Sequence, residues 1–233
     1  MNLITRIGLL LFLFNISAWS QKHNNMIEVK YVMDPYCGWC YGNSENISWL
    51  KEQLQERANI EIMVGGMWLG ANAPVGGEEL NHFIKTHSPR MEKVTGAVVG
   101  QGFYNLVNNP EYTFSSLEPS AAIVLVKQLA PEKSLQFAKE VQKAIFLNGN
   151  PLDKLESYIP VLKQLNIDEM QFSNMWMKPD NIKATEAEFD ASGSLARSYP
   201  TLLVEVDGEI IPFVSGYFNK NEVLAKVEEL IKQ

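Results

Sequence analysis

The chain has 233 residues, with 20 basic side chains against 27 acidic ones and a formal charge of −7. Its lysines are scattered rather than blocked, so nucleic acid is not an expected partner. An apolar fraction of 46% and five tryptophans suffice for a buried core in one large domain, or one domain with an insertion.

Residues 1–20 read as a signal peptide. Arg6 supplies a positive start, Ile7 to Phe14 (IGLLLFLF) is unbroken and apolar, and Ala18-Trp19-Ser20 offers small residues for cleavage. The run is shorter than the roughly 20 apolar residues that span a bilayer. An uncleaved anchor is the alternative, and the lack of a cysteine near the cleavage point excludes a lipoprotein. The mature chain is expected to start at Gln21 and to be periplasmic or secreted, with no stable membrane insertion. Loss of Arg6 leaves 19 basic residues against 27 acidic, a charge of −8.

Ile27 to Met33 is rich in β-branched residues and reads as a strand, interrupted by Asp34-Pro35. Cys37-Gly38-Trp39-Cys40 follows, then an amphipathic run from Ser44 to Ala58 with Ile47, Leu50, Leu54 and Ala58 at helical spacing. Ile60 to Val64 is a second strand, closed by Gly65-Gly66. From Gly70 to Ser198 the pattern becomes helical, with expected helices at Glu78–Thr86, Met91–Asn105, Pro119–Leu129, Ser134–Leu147, Leu152–Leu165 and Ile182–Arg197. Ser88-Pro89, Asn109-Pro110, Asn148 to Pro151 and Lys178-Pro179 mark the breaks. Thr201 to Val206 and Ile210 to Val214 are strands around an Asp207-Gly208 turn, and Asn221 to Lys232 is a last amphipathic helix. With the helical middle set aside, the order is β-α-β followed by β-β-α, the thioredoxin arrangement carrying a large all-helical insertion. The expected units are residues 21–69 and 199–233 for the two thioredoxin-like halves, and 70–198 for the insertion.

The only two cysteines, Cys37 and Cys40, sit two residues apart. A disulfide across so small a loop stabilises little, and a chain of this size has no need of a staple. A thiol exchanger needs one accessible thiolate and a second thiol to resolve the mixed disulfide. A cysteine at a helix N-terminus meets the first demand, because unpaired N–H groups and the helix dipole favour an anion. Cys37 is therefore the expected nucleophile and Cys40, one turn on, the resolving thiol, with no cofactor beyond the pair's own disulfide. Trp39 would rim the exposed sulfur or simply pack the helix. Asp34 and Glu28 are the nearest acids. Either could relay protons for Cys40, although a solvated surface carboxylate is the simpler reading of each, and Lys30 could counter one of them.

"DPYCGWCYG" after a strand, and "SYPTLLVEVDGE" about 160 residues later, resemble the DsbA-like branch of the thioredoxin superfamily. They are most similar to FrnE-related protein-disulfide isomerases with a Cys-x-x-Cys motif. "GGMWLG" and Thr95-Gly96 resemble that branch too, so the likeness spans the mature chain. The resemblance implies that Pro200 is a cis-proline facing the cysteines, where its own residue context would suggest an ordinary trans proline opening a strand. Tyr199 would then present its backbone beside Cys37, where a substrate peptide adds as a strand. Two departures stand out: Gly38-Trp39 replaces the Pro-His of strong DsbA-type oxidants, and Tyr31 occupies the position, six before the first cysteine, where an acid is often buried.

Other readings compete. Zinc needs four ligands, and beyond the cysteines only His23, His82 and His87 are candidates, so no metal is expected. An exported thiol pair can carry Cu(I). A glutathione-dependent isomerase or transferase of the same fold usually places serine or a single cysteine at the nucleophile position. A non-catalytic chaperone could use Met63, Met67, Trp68, Met91, Met175, Trp176 and Met177 as a groove, though core packing explains them more simply. Asn46-Ile47-Ser48 matches a glycosylation signal inside the active-site helix and reads as chance. The expected partners are exported proteins with cysteines and a redox partner that resets the pair. No dimerisation arm is evident after residue 21, so a monomer is expected.

Overall fold

Alternation over residues 27–33 does form a strand, β1 (Ile27–Met33), in a computed structural model that describes residues 27–206 and 208–232. The signal-peptide reading of residues 1–20 and His23 lie outside the described residues. Helix α1 (Gly38–Leu54) begins six residues earlier than its apolar spacing suggests. Cys37 adopts an extended backbone as its N-cap, and its carbonyl accepts the Cys40 and Tyr41 N–H groups at 3.0 Å each. The apolar face of α1 buries Ile47, Leu50 and Leu54. β2 (Ala58–Val64) then runs parallel to β1, with Val29 opposite Ile60 and Met33 opposite Val64.

The sheet closes with β3 (Thr201–Val206) and β4 (Glu209–Ser215), in the order β2-β1-β3-β4. β3 is antiparallel to β1, pairing Val32 with Thr201 and Tyr31 with Leu202. That register carries the start of β3 to the C-terminal end of β1. Gly208, at φ +82, lies in the turn between β3 and β4. The period-2 pattern sorts side chains to two faces. Val29, Tyr31, Ile60, Ile62, Leu202 and Val204 meet α1 and the last helix, α9 (Lys220–Ile231), through Val223 and Val227. Val32, Met63 and Leu203 form a smaller cluster with Ala196 on the other face.

Seven helices lie between β2 and β3: α2 (Glu78–Thr95), α3 (Gln101–Val107), α4 (Leu117–Leu129), α5 (Ser134–Phe146), α6 (Ile159–Gln164), α7 (Glu169–Met175) and α8 (Pro179–Leu195). One apolar core runs from the sheet into this segment, with the α4 residues Ala121 to Val126 buried on all sides. α8 packs on β2 and β4. Glu188 of α8 accepts the Val64 N–H at 2.8 Å and meets Lys127 of α4 at 2.7 Å, which covers the outer edge of β2. Among the described residues, no helix is long and apolar enough to cross a membrane.

Several expected boundaries differ, α8 for one starting at Pro179 rather than Ile182. α2 continues through Pro89, where a break was expected. Lys85 and Pro89 are both exposed, so the carbonyl that loses its helical partner faces water. The helix ends instead at Gly96, whose φ of +75 suits a left-handed cap, and α3 is a separate helix. The helix expected from Leu152 starts only at Ile159, because tertiary partners claim the backbone of Leu152: its N–H bonds the Tyr112 hydroxyl and its carbonyl accepts from Tyr158. α7 was not anticipated, although Asp168 caps it by accepting the Gln171 N–H at 2.9 Å.

Candidate active site

The end of β1, the start of α1 and the start of β3 meet at Cys37. Asp34-Pro35 ends the strand, and the Asp34 carbonyl accepts the Cys37 N–H at 3.1 Å, turning the chain into α1. Both cysteines are thiols. Cys37 is 7% exposed and Cys40 fully buried. Tyr199-Pro200 is a cis peptide, and the Cys37 Sγ donates to the Tyr199 carbonyl at 3.5 Å. The side chain of Tyr199 lies over Gly65, where a Cβ would meet the ring 2.2 Å away. The glycine after β2 is thus what admits Tyr199 to the site. Burial pushes the Tyr199 phenol up, and the charges of Asp34, Cys40 and Cys37 add to that.

Asp34 corrects the surface reading. It is fully buried, with Oδ1 accepting the Tyr36 N–H at 2.9 Å and Oδ2 the Met67 N–H at 2.8 Å. Burial raises its pKa to about 6, against the pull of those N–H groups and of the Ser116 hydroxyl. The sequence signal was there in outline: "GGMWLG" supplies the Met67 N–H, and the loop after β2 folds back over the end of β1. Cys40 is pushed well above the usual thiol range, first by burial, then by the hydrogen bond and charge of Cys37, with the Asp34 charge adding to the rise. Asp34 and Cys40 are thus two buried ionisable groups close enough for the charge of one to shift the other.

Glu28 is not part of the site. It lies near the opposite end of β1, about 20 Å away by strand rise, and accepts from Asn59 at 2.7 Å. Lys30 pairs with Glu61 at 3.6 Å rather than with Asp34 or Glu28. Tyr31 is buried beneath the cysteines and donates to the Cys40 carbonyl at 3.4 Å.

A cleft of about 300 Å³ opens beside Cys37, lined on one side by Trp39 and on the others by the loop after β2 and by α2. Met67 and Trp68 are half-buried there, whereas Met63, Met91 and Trp176 are buried, and Met175 and Met177 are exposed on the α7–α8 side. His87 packs against Phe83 with ring centroids 4.5 Å apart and planes tilted by 50°, while His82 is exposed. Asn46 is tied to the Phe218 carbonyl at 3.0 Å.

No protein-family model and no curated protein matches this sequence. Solved structures do match it. A candidate protein disulfide isomerase from Nitrosomonas europaea superposes with a TM-score of 0.76 at 21% identity, covering 88% of this chain and 96% of that one. The cytosolic disulfide reductase DsbM from Pseudomonas aeruginosa, in a structure with GSH, gives 0.66 at 20% identity, covering 88% and 96%. A DsbA-type oxidoreductase from Streptomyces coelicolor gives 0.63 at 9% identity, covering 89% and 91%. The chain shares their architecture: a thioredoxin-like fold of the DsbA type, with a helical segment inserted between β2 and β3.

Proposed function

We propose that this protein is an exported thiol-disulfide oxidoreductase or isomerase of the DsbA-like group, acting on cysteines of other exported proteins. The observation that carries the reading is the seating of Cys37. It caps α1, it faces the Tyr199 carbonyl at 3.5 Å, and it has a fully buried second thiol one turn behind it. The solved structures it resembles include a disulfide reductase and a candidate disulfide isomerase, which supports the same chemistry.

In the reductive direction the Cys37 thiolate attacks a substrate disulfide. One substrate sulfur leaves as a thiolate, and the other stays joined to Cys37. Cys40 then loses its proton and attacks the Cys37 sulfur, closing the Cys37–Cys40 disulfide and releasing the second substrate thiolate. Because burial makes the Cys40 proton hard to remove, that step needs an acceptor, and the buried Asp34 carboxyl, whose charge Cys40 feels, is the proposed one. The steps reverse for oxidation of a substrate dithiol. A separate redox partner resets the pair, and the protein's potential against glutathione sets the direction. Tyr199 and Pro200 shape the wall along which a substrate backbone lies, and Trp39 borders the sulfur. Export rests on Arg6, the run from Ile7 to Phe14 and Ala18-Trp19-Ser20.

The test is insulin reduction, or refolding of a reduced substrate, by the purified mature chain. Activity that disappears in Cys37→Ala is expected, and full activity in that variant overturns the proposal. An N-terminus at Gln21 in protein recovered from the exported fraction is the expected mark of cleavage.

A further inference from the structure

Thr95 and Gly96 end α2 on the flank of α1. Gly96 turns the chain at φ +75, and the residues after it are tied to both helices. The Tyr41 hydroxyl donates to the Val98 carbonyl at 3.0 Å, and the Val99 N–H donates to Glu92 Oε1 at 2.8 Å. Thr95 fills the space that Gly42 leaves on α1: a Cβ on Gly42 would stand 2.5 Å from Thr95 Cγ2. The Thr95 hydroxyl accepts the Ala97 N–H at 3.1 Å, and its own proton goes to the Met91 Sδ, 3.3 Å away. Met91, one turn back on α2, is buried and reaches the other glycine of that stretch, with Cγ and Cε 4.0 Å from where a Cβ of Gly38 would be. Gly38 presents no side chain there, so Met91 is what covers the turn between the two cysteines.

Methionine is an adaptable side chain with three rotatable bonds, and it makes a loose wall unless its sulfur is held. Here a hydroxyl holds it. The Cys37 carbonyl takes the Cys40 and Tyr41 N–H groups, which leaves those of Gly38 and Trp39 at the end of α1 where the nucleophile sits. Attraction between such groups and a thiolate is stronger where water is kept out. We propose that Met91 is a positioning residue for thiol exchange and that Thr95 holds it in place, the two together keeping water from the Gly38 side of the α1 terminus. The proposal rests on exchange at Cys37 and adds a group that tunes it. A better-stabilised thiolate favours the dithiol over the disulfide, which makes the pair a stronger oxidant. In this arrangement the thioredoxin-like half carries the cysteines, and helix α2 sets how readily they give up their disulfide.

The test is the equilibrium of the mature protein with glutathione, in which the protein disulfide and two glutathione thiols give the protein dithiol and one glutathione disulfide. Alkylation of free thiols followed by mass spectrometry gives the dithiol-to-disulfide ratio at a fixed glutathione poise. Thr95→Val keeps the shape against Gly42 and removes the hydroxyl, and the ratio should fall by about 3-fold, the size of effect that one hydrogen bond has. Thr95→Ser keeps the hydroxyl and should leave the ratio as it is. Met91→Leu keeps the volume without the sulfur, so adding Thr95→Val to it should change the ratio no further. Thermal melting checks that each variant is folded. A ratio unchanged in Thr95→Val overturns the proposal even where the melting temperature falls, because that is the mark of a purely structural contact. An equal fall for Thr95→Val in the unaltered and the Met91→Leu backgrounds also overturns it, since Thr95 then acts without Met91. No exchange with glutathione in the unaltered protein overturns the exchange reading together with the proposal, a result distinct from exchange at an unmoved ratio.

Discussion

Replacing Asp34 with asparagine tests whether an ionisable carboxyl is truly buried at the site. Its pKa stands at about 6, against an ordinary value of 3.8, with burial as the largest cause. At 1.36 kcal/mol per pH unit, that gap corresponds to about 3 kcal/mol. The folded-state value is the higher one, so the native protein holds this proton more tightly than the unfolded chain does. The advantage of the protonated carboxyl is fully present below about 3.8 and is lost as pH rises through about 6. Asp34→Asn removes this titration and keeps the shape, but turns an NH₂ toward one of the two N–H donors from Tyr36 and Met67. That mismatch takes back about 1–3 kcal/mol at every pH. The difference in unfolding free energy, variant minus unaltered protein, should therefore rise by about 2.4 kcal/mol between pH 4 and pH 7, the share of the full gap that falls in that window. Denaturant unfolding of the reduced mature protein across that range measures it, and the other titrating groups cancel in the difference. A flat or falling difference curve would refute the reasoning. If Asp34 also accepts the Cys40 proton, the same substitution slows resolution of the mixed disulfide and removes the inflection near pH 6 from its rate profile.

Other consequences follow from the same packing. Iodoacetamide at neutral pH should label Cys37 in the reduced native protein and spare Cys40, which is fully buried and held protonated; peptide mapping showing equal labelling would contradict this. Gly65→Ala places a Cβ 2.2 Å from the Tyr199 ring, so the ring must move. A loss of about 1–3 kcal/mol in denaturant stability is expected, with a clear fall in insulin reduction as the Tyr199 carbonyl leaves Cys37. Phe114 is 1% exposed and packs edge-on against Tyr36, Trp68, Phe103 and Tyr112. Phe114→Ala should cost about 3–5 kcal/mol by the same measurement, and a cost under about 1 would show that the aromatic cluster is not a packed core.

The strands and the helix-capping cysteine were legible because they rest on local patterns: β-branched runs, a proline stop, and apolar residues at helical spacing after Cys40. What escaped reading depends on partners far along the chain. Asp34 looked like a surface residue because its burial is decided by the Met67 N–H, 33 residues away, and by Ser116 further on. Leu152 kept its apolar helical spacing but lost its helix to Tyr112 and Tyr158. Pro89 read as a break because local rules do not say which side of a helix faces water. The cis bond before Pro200 was expected only from the likeness of "SYPTLLVEVDGE" to a known group, since no local property of Tyr199 and Pro200 selects it. Glu28 entered the candidate list through closeness in sequence, and strand geometry places it at the far end of β1.

The central claim is that Cys37 attacks and Cys40 resolves, and trapping the intermediate tests it most directly. Cys40→Ala, reduced and mixed with insulin, should accumulate a mixed disulfide that mass spectrometry maps to Cys37 and that dithiothreitol releases. Cys37→Ala should form no comparable adduct. An adduct at Cys40 in Cys37→Ala that forms as fast, or no adduct at Cys37 in Cys40→Ala, would contradict the account.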